Sequence, residues 1–481
     1  MMVGITAYGA YLPRMRLQKQ VIADANAWFD PGLKGLAKGE KAICNWDEDT
    51  ITMAVEAYID CLGNAPGQAP AALLLASTTL PFADRQNSVV VAEALNLDTS
   101  DLRTMDITSS QRAATSGLLS ALDIAAAGKE AVLVASEHRR AKVASREEML
   151  FGDAAAAIAV GSENVIAELV ASQSQAIDFI DHYRGEGQDF DYGWEERWVR
   201  DEGYMKIVPD AVNALLSKAG VSAGDIAHFI LPTDQGRVPA MVAKKLGING
   251  EAVTDNLLQS VGITGAAHVM LLLAHRLEQA APGDLVLVAG FGQGCDVLLF
   301  KVTEAISTPR LGKGVSGHLS NGRPETNYNK YQSFNNLLEK ELGKRSEVNK
   351  QGYLSAMYRA RGLTNSFLGG KCSACNTVQM PKHKYCVNPD CGAFDTQEDH
   401  PMAGAMGQVA TWTADTLTFD YNPPAYFGMV TFEGGGRIMM DMSEVDAETF
   451  DTGAKVSVHF RLKQIDDQAG FRKYFWKAIQ A

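Results

Sequence analysis

The chain has 481 residues, 57 acidic against 44 basic side chains, a net charge of −13 and 46% hydrophobic residues. That acidity excludes nucleic acid or an anionic membrane surface as the main partner, while the apolar content suffices for a large core shared among several domains. No apolar run approaches the roughly 18 residues of a membrane span, and the opening Met1-Met2-Val3-Gly4-Ile5-Thr6 reads as a first strand and not a signal segment, so a cytoplasmic protein is expected.

From Met1 to about Val302, strand-like apolar runs alternate with alanine-rich helical runs, the pattern of an α/β domain with buried strands. Strands are expected over 71–77, 131–136, 154–160, 228–232, 284–290 and 297–302. The passages 116–136 and 265–290 resemble each other, each a small-residue helix, a short turn and an apolar strand, which predicts two similar halves, 1–165 and 166–303, that share a site. In the first half, the polar turn from Asp106 opens directly into a helix of small residues. Free amides at a helix start stabilise an oxyanion, so a nucleophile belongs there; what stands there is Ser109-Ser110-Gln111.

Residues 304–330 break the pattern with Pro309, Gly312, Gly314, Gly317, Gly322 and Pro324 and read as a linker. Helices are expected over 333–344 and 352–361, within a segment 331–403 that carries Cys372, Cys375, Cys386 and Cys391. Two pairs of thiolates on two knuckles suit tetrahedral zinc, and four cysteine ligands leave no open coordination position, so the zinc is structural. Cys44, Cys61 and Cys295 are scattered, the usage of a reducing compartment. From 404 to 481 short alternating strands predict a small β-barrel of the OB type, whose acidic Asp441, Glu444, Asp446, Glu448 and Asp451 argue against nucleic acid.

Four motifs carry a resemblance: Val3-Gly4-Ile5 through Tyr11-Leu12-Pro13, Gly152-Asp153-Ala154-Ala155-Ala156, Gly262-x-Thr264-Gly265-Ala266-Ala267, and Gly290-Phe291-Gly292-Gln293-Gly294. Through them residues 1–302 resemble the thiolase superfamily, in its 3-hydroxy-3-methylglutaryl-CoA synthase branch. Residues 330–481 resemble the zinc-ribbon and OB-fold module that accompanies such enzymes. The resemblance implies a duplicated α/β/α/β/α fold, coenzyme A as part of the substrate, and a homodimer, with a hydratase or another pathway enzyme as a possible partner. It also implies a nucleophilic cysteine where this chain has Gln111, a glutamate at Thr78 or Thr79, a histidine at Ile230, and an asparagine or histidine at Gly262 or Ile263.

All four groups are missing, and a glutamine cannot form a covalent acyl-enzyme. The chemistry left needs a bound thioester, an oxyanion hole and one acid/base group, and the resemblance to thiolase-like aldolases implies retro-aldol cleavage of a 3-hydroxyacyl-CoA. Candidates for the site are Gln111, Ser110, His268, Asp84, His138, Asp234 and Cys295, with Gly265, Gly290, Gly292 and Gly294 shaping the loops against the ligand. Aromatic residues between 178 and 204, with Phe82, suggest the lining of a substrate tunnel. Two alternatives stay open: an acyltransferase or synthase in which Ser110 or Cys295 replaces the cysteine, and a non-catalytic carrier of an acyl thioester.

Overall fold

In the computed structural model, residues 2–63, 69–341 and 353–481 are described. Nine strands form one mixed sheet in the order 228–230, 285–291, 294–302, 167–176, 4–11, 154–161, 131–137, 72–76 and 103–107. The two halves meet where Gly4–Tyr11 touches Ala167–Ala176 over only two residue pairs. Around that narrow junction the chain stacks as five layers: Thr50–Leu62 and Asn87–Ala94 outside the first half, Ala113–Ala126 and His268–Leu277 between the halves, and Val208–Ala219 outside the second. This is the duplicated α/β/α/β/α arrangement.

Side-chain size makes the stacking possible. Ala154–Gly161 is buried along its whole length and begins with four alanines, so helices lie close on both of its faces. Gly117 of the central helix has no room for a methyl group, since a Cβ there would lie 2.8 Å from Leu133 Cδ1.

Residues 304–330, expected as a linker, carry a helix, Gly314–Ser320, and a strand, Arg323–Glu325, that pairs in parallel with Met15–Gln18. Asp60 at the end of the outer helix accepts from Lys313 N at 2.5 Å and from Gly314 N at 3.0 Å. The helix expected over 333–344 instead runs Tyr328–Phe334, because Asn327 caps it by accepting from Lys330 N at 3.0 Å; residues 342–344 lie outside the described residues. The helix expected over 352–361 runs Leu354–Thr364.

The C-terminal strands close into a five-stranded barrel, in the order 407–415, 425–432, 437–443, 471–480 and 455–466. It sits on the outer face of Thr50–Leu62. Asp49 caps that helix, accepting from Ile51 N and Thr52 N at 3.0 Å each, and its other oxygen takes Arg472 at 2.8 Å and the Tyr474 hydroxyl at 2.9 Å from the barrel. Lys477 pairs with Asp47 at 2.9 Å. One continuous apolar cluster contains Ile51, Val55, Leu73 and Val132 of the first half together with Phe367, Phe460 and Trp476. Among the described residues no helix is long and apolar enough to cross a membrane.

Candidate active site

The turn before the central helix is held in an unusual backbone conformation, with Ser109 at φ 70°, a region that costs an ordinary residue energy and persists where its surroundings enforce it. Ser110 supplies part of that enforcement. Its Oγ donates to the Gly292 carbonyl at 3.1 Å and accepts from Arg112 N at 3.1 Å. Gly292 packs close against the turn, since a Cβ there would sit 3.3 Å from the Gln111 Cβ and 3.1 Å from Arg112 N. Asp296 clamps the same turn from the second half, receiving Arg112 at 3.3 Å, Thr115 at 3.1 Å and Ser116 at 2.7 Å. The helix start is thus rigid, and it presents Gln111.

Gln111 lies between two cavities, of about 160 and 240 Å³, each also lined by Asp181, His182 and Asp191. His182 belongs to a two-stranded hairpin, His182–Tyr183 against Tyr192–Gly193, in the insertion after Ala167–Ala176. Its Nε2 is 3.2 Å from the Gln111 amide nitrogen and its Nδ1 is 3.0 Å from Asp181 Oδ2. An amide NH₂ only donates and a carboxylate only accepts, so these partners assign the proton to Nδ1 and leave the Nε2 lone pair facing Gln111. This imidazole was not legible in the sequence: 71 residues separate it from Gln111, and only the Asp181-His182 step within a polar, aromatic excursion hints at it.

Asp191 ties the hairpin to the body. It takes Arg139 at 2.5 Å and Arg184 at 2.8 Å. Burial raises its carboxyl pKa, but the two guanidinium groups outweigh burial and hold it below the usual carboxylate range. Arg184 also donates to the Thr78 carbonyl. Thr78 and Thr79, where the resemblance expects a glutamate, hydrogen-bond to one from another strand: Glu137 Oε1 accepts from Ser77 Oγ at 2.8 Å, Thr78 N at 2.6 Å and Thr79 Oγ1 at 3.0 Å. Its Oε2 accepts from Ala266 N at 2.9 Å. With 0% exposure, Glu137 braces the two halves and is closed to ligand. Gly265 lies against it, a Cβ there falling 2.5 Å from Glu137 Oε2.

The remaining candidates are placed as follows. His268 does not reach the site: it is fully buried, its Nδ1 accepting from Thr264 N at 3.2 Å and its Nε2 donating to the Asn256 carbonyl at 3.0 Å. Burial lowers its pKa to about 4, so it is a neutral packing residue near neutrality. Cys295 faces the second-half core with 0% exposure, and burial pushes its thiol far above the ordinary range, which removes it as a nucleophile. Asp84 is exposed on a turn and lines neither cavity. Asp234 does line the smaller cavity, where Arg146 neutralises it at 2.5 Å. His138 faces outward to the barrel side, its Nδ1 3.2 Å from Asp153 Oδ1. Of the aromatic residues, Trp194 and Tyr204 line the smaller cavity, whereas Phe82 packs on Phe471 of the barrel at 5.9 Å.

Comparison with known proteins agrees with this layout. A hydroxymethylglutaryl-CoA synthase of Methanobrevibacter smithii is 30% identical over 320 residues, covering 64% of this chain and 91% of the relative. One from Aeropyrum pernix is 31% identical over 345 residues, covering 70% and 94%. The chain belongs to the hydroxymethylglutaryl-CoA synthase family. The family described as 3-oxoacyl-[acyl-carrier-protein] synthase III, C terminal, matches residues 216–298. A crystal structure of a hydroxymethylglutaryl-CoA synthase complexed with CoA superposes with a TM-score of 0.58 at 19% identity, covering 73% of this chain and 95% of that one. The 3-oxoacyl-(acyl carrier protein) synthase III of Pseudomonas aeruginosa gives 0.56 at 21% identity, covering 63% and 99%. At those identities the likeness is one of fold.

What this family member adds is the C-terminal module. Residues 359–397 match the family described as ChsH2, rubredoxin-like zinc ribbon domain. Cys372, Cys375, Cys386 and Cys391 have their sulfurs within 4.8 Å of one another, with Cys372–Cys391 at 3.9 Å and Cys375–Cys386 at 3.5 Å. Zinc–thiolate bonds of about 2.3 Å in a tetrahedron require sulfurs about 3.8 Å apart. The four residues therefore fit a closed structural zinc.

Proposed function

We propose that this thiolase-superfamily acyl-CoA enzyme cleaves the C2–C3 bond of a 3-hydroxyacyl-CoA by a retro-aldol reaction, without a covalent acyl-enzyme. The observation that carries the reading is the pairing of Gln111 with His182 where the family's thiol would stand. His182 Nε2 takes the proton of the C3 hydroxyl, and Asp181 holds the opposite nitrogen and stabilises the imidazolium that forms. As the C3 carbonyl forms, the C2–C3 bond breaks and its electron pair moves into the thioester enolate. The Gln111 amide has a second N–H to donate to that enolate oxygen. The proton on His182 then returns to C2, giving a shortened acyl-CoA and a ketone or aldehyde.

A synthase-like condensation through an acyl-enzyme is the second reading, favoured by the 30% identity to hydroxymethylglutaryl-CoA synthases. It needs a nucleophile, and both polar contacts of Ser110 are committed to the turn. A homodimer is proposed along the edge strand Arg103–Ile107, which among the described residues has a neighbour on one side only; pairing with a second copy would satisfy that edge.

Mass spectrometry of the protein and its products, after incubation with a panel of 3-hydroxyacyl-CoAs and with acetyl-CoA, tests the reading. A shortened acyl-CoA with unchanged protein mass supports the lyase. An acyl adduct on the protein supports the synthase, and neither change overturns both.

A further inference from the structure

Three strand ends in the first half bring together a second set of metal-binding side chains, apart from the zinc ribbon. Cys44 follows the strand Glu40–Ile43, His138 follows Ala131–Glu137, and Asp153 precedes Ala154–Gly161. One ligand atom from each lies within 4.8 Å of the other two. Cys44 and Asp153 are 2% and 4% exposed. His138 is the member nearest to water: its side chain is 18% exposed and lines a cavity of about 570 Å³ at the seam between this half and the barrel.

We propose that Cys44, His138 and Asp153 bind a divalent ion of the zinc class, reached through the seam cavity. Two observations point to a ligand. His138 Nδ1 is closed to solvent and has no hydrogen-bond partner among the described residues, although Asp153 Oδ1 is only 3.2 Å away. An ordinary imidazole–carboxylate pair aligns the N–H with the oxygen. Two ligands of one ion do not: bonds of about 2.0–2.1 Å to a tetrahedral zinc set a ring nitrogen and a carboxylate oxygen about 3.3 Å apart, each off the other's axis. The second observation is that Asp153 is a buried carboxylate with no lysine or arginine paired to it among the described residues, and a buried charge of that kind calls for a cation. Its other oxygen accepts from Cys44 N at 2.8 Å, a bond that fixes the carboxylate and sets the thiol beside it, as outer hydrogen bonds do for metal ligands. Met53 Sδ lies 3.6 Å from Cys44 Sγ, and a soft monovalent ion would use both sulfurs; the hard oxygen of Asp153 and the imidazole favour a divalent one. Three protein donors leave one tetrahedral position for water.

A site with three protein ligands holds its ion less tightly than a closed four-thiolate ribbon, so brief dialysis against a chelator clears the proposed site and leaves the ribbon zinc in place. Equilibrium dialysis of the full chain against Co²⁺ should then load one Co²⁺ per chain, with the ribbon zinc still present in the same sample. A thiolate-to-cobalt charge-transfer band should appear in the near ultraviolet. Cys44→Ser should lose that band. His138→Gln, at the partly exposed position, should weaken Co²⁺ binding by more than about tenfold, with the ribbon zinc and the near-ultraviolet circular dichroism unchanged as the check on folding. Wild type that takes up Co²⁺ only in exchange for the ribbon zinc, uptake without the band, or uptake unchanged in His138→Gln overturns the site. Metal content and a spectrum are read without turnover, so the result is independent of whether the retro-aldol reading holds.

Discussion

Arg461 Nη1 on the barrel lies 3.2 Å from Glu56 Oε1 on the outer helix of the first half, and both side chains are buried. The same guanidinium reaches Glu48 at 3.3 Å, Glu444 at 3.5 Å and the Tyr11 hydroxyl at 2.9 Å. Burial raises the Glu56 pKa, but His459 and Arg461 outweigh it and bring it to about 2. Removing the cation leaves three carboxylates around one hole. Arg461→Ala is expected to cost about 3–5 kcal/mol in urea unfolding, the usual cost of breaking a buried pair from one side, whereas Lys463→Ala, at the exposed pair with Asp441, should cost less than about 1 kcal/mol.

His182→Gln keeps a hydrogen-bonding side chain beside Gln111 and removes the base. Turnover of the 3-hydroxyacyl-CoA should fall by about 10²–10⁴-fold with little change in the affinity for coenzyme A. Asp181→Asn should lower turnover less and displace the pH profile, since it alters the imidazole's partner and leaves the imidazole in place.

Gln111→Cys restores a thiol where the family resemblance expects one, on a side chain that faces His182. Incubation with acetyl-CoA should then add one acetyl group to the protein mass in the variant and none in wild type. An unmodified variant would show that His182 does not act on the helix start.

His268 supplies a pH dependence. Its folded pKa of about 4 lies below the ordinary 6.5, so the unfolded chain takes up a proton that the folded chain refuses. Its contribution to stability is complete above pH 6.5 and is lost as the pH falls towards 4. The loss is on the order of 3 kcal/mol. Urea titrations between pH 7 and 4 should show this slope in wild type and a shallower one in His268→Gln.

Zinc analysis should find one ion per chain. Cys375→Ser should lose it and lower the unfolding temperature, because ligand binding free energy at such a site is folding free energy.

The α/β layering, the zinc cysteines and the barrel were legible because each is written in local pattern: strand runs, two close cysteine pairs at Cys372/Cys375 and Cys386/Cys391, and alternation after residue 404. The helix start at Gln111 was legible for the same reason. His182 was not, since a hairpin inserted between the halves carries it back to Gln111, and sequence spacing holds no trace of that return. His268 and Cys295 misled because they border the glycine motifs in sequence while their side chains point into the core. The segment 304–330 looked like a linker because its glycines and prolines mark turns, and the two carboxylates that fasten it, Asp60 and Glu278, lie far from it in the sequence.

The apolar cluster that joins Ile51 and Val132 to Trp476 sets an order on biosynthesis. During translation, the outer face of the first half emerges early and finds its cover only when the last strand, Phe471–Gln480, leaves the ribosome. The residues between are synthesised while that face is open to water, an interval in which exposed apolar surface favours aggregation. A fragment ending before the barrel would keep that face exposed permanently.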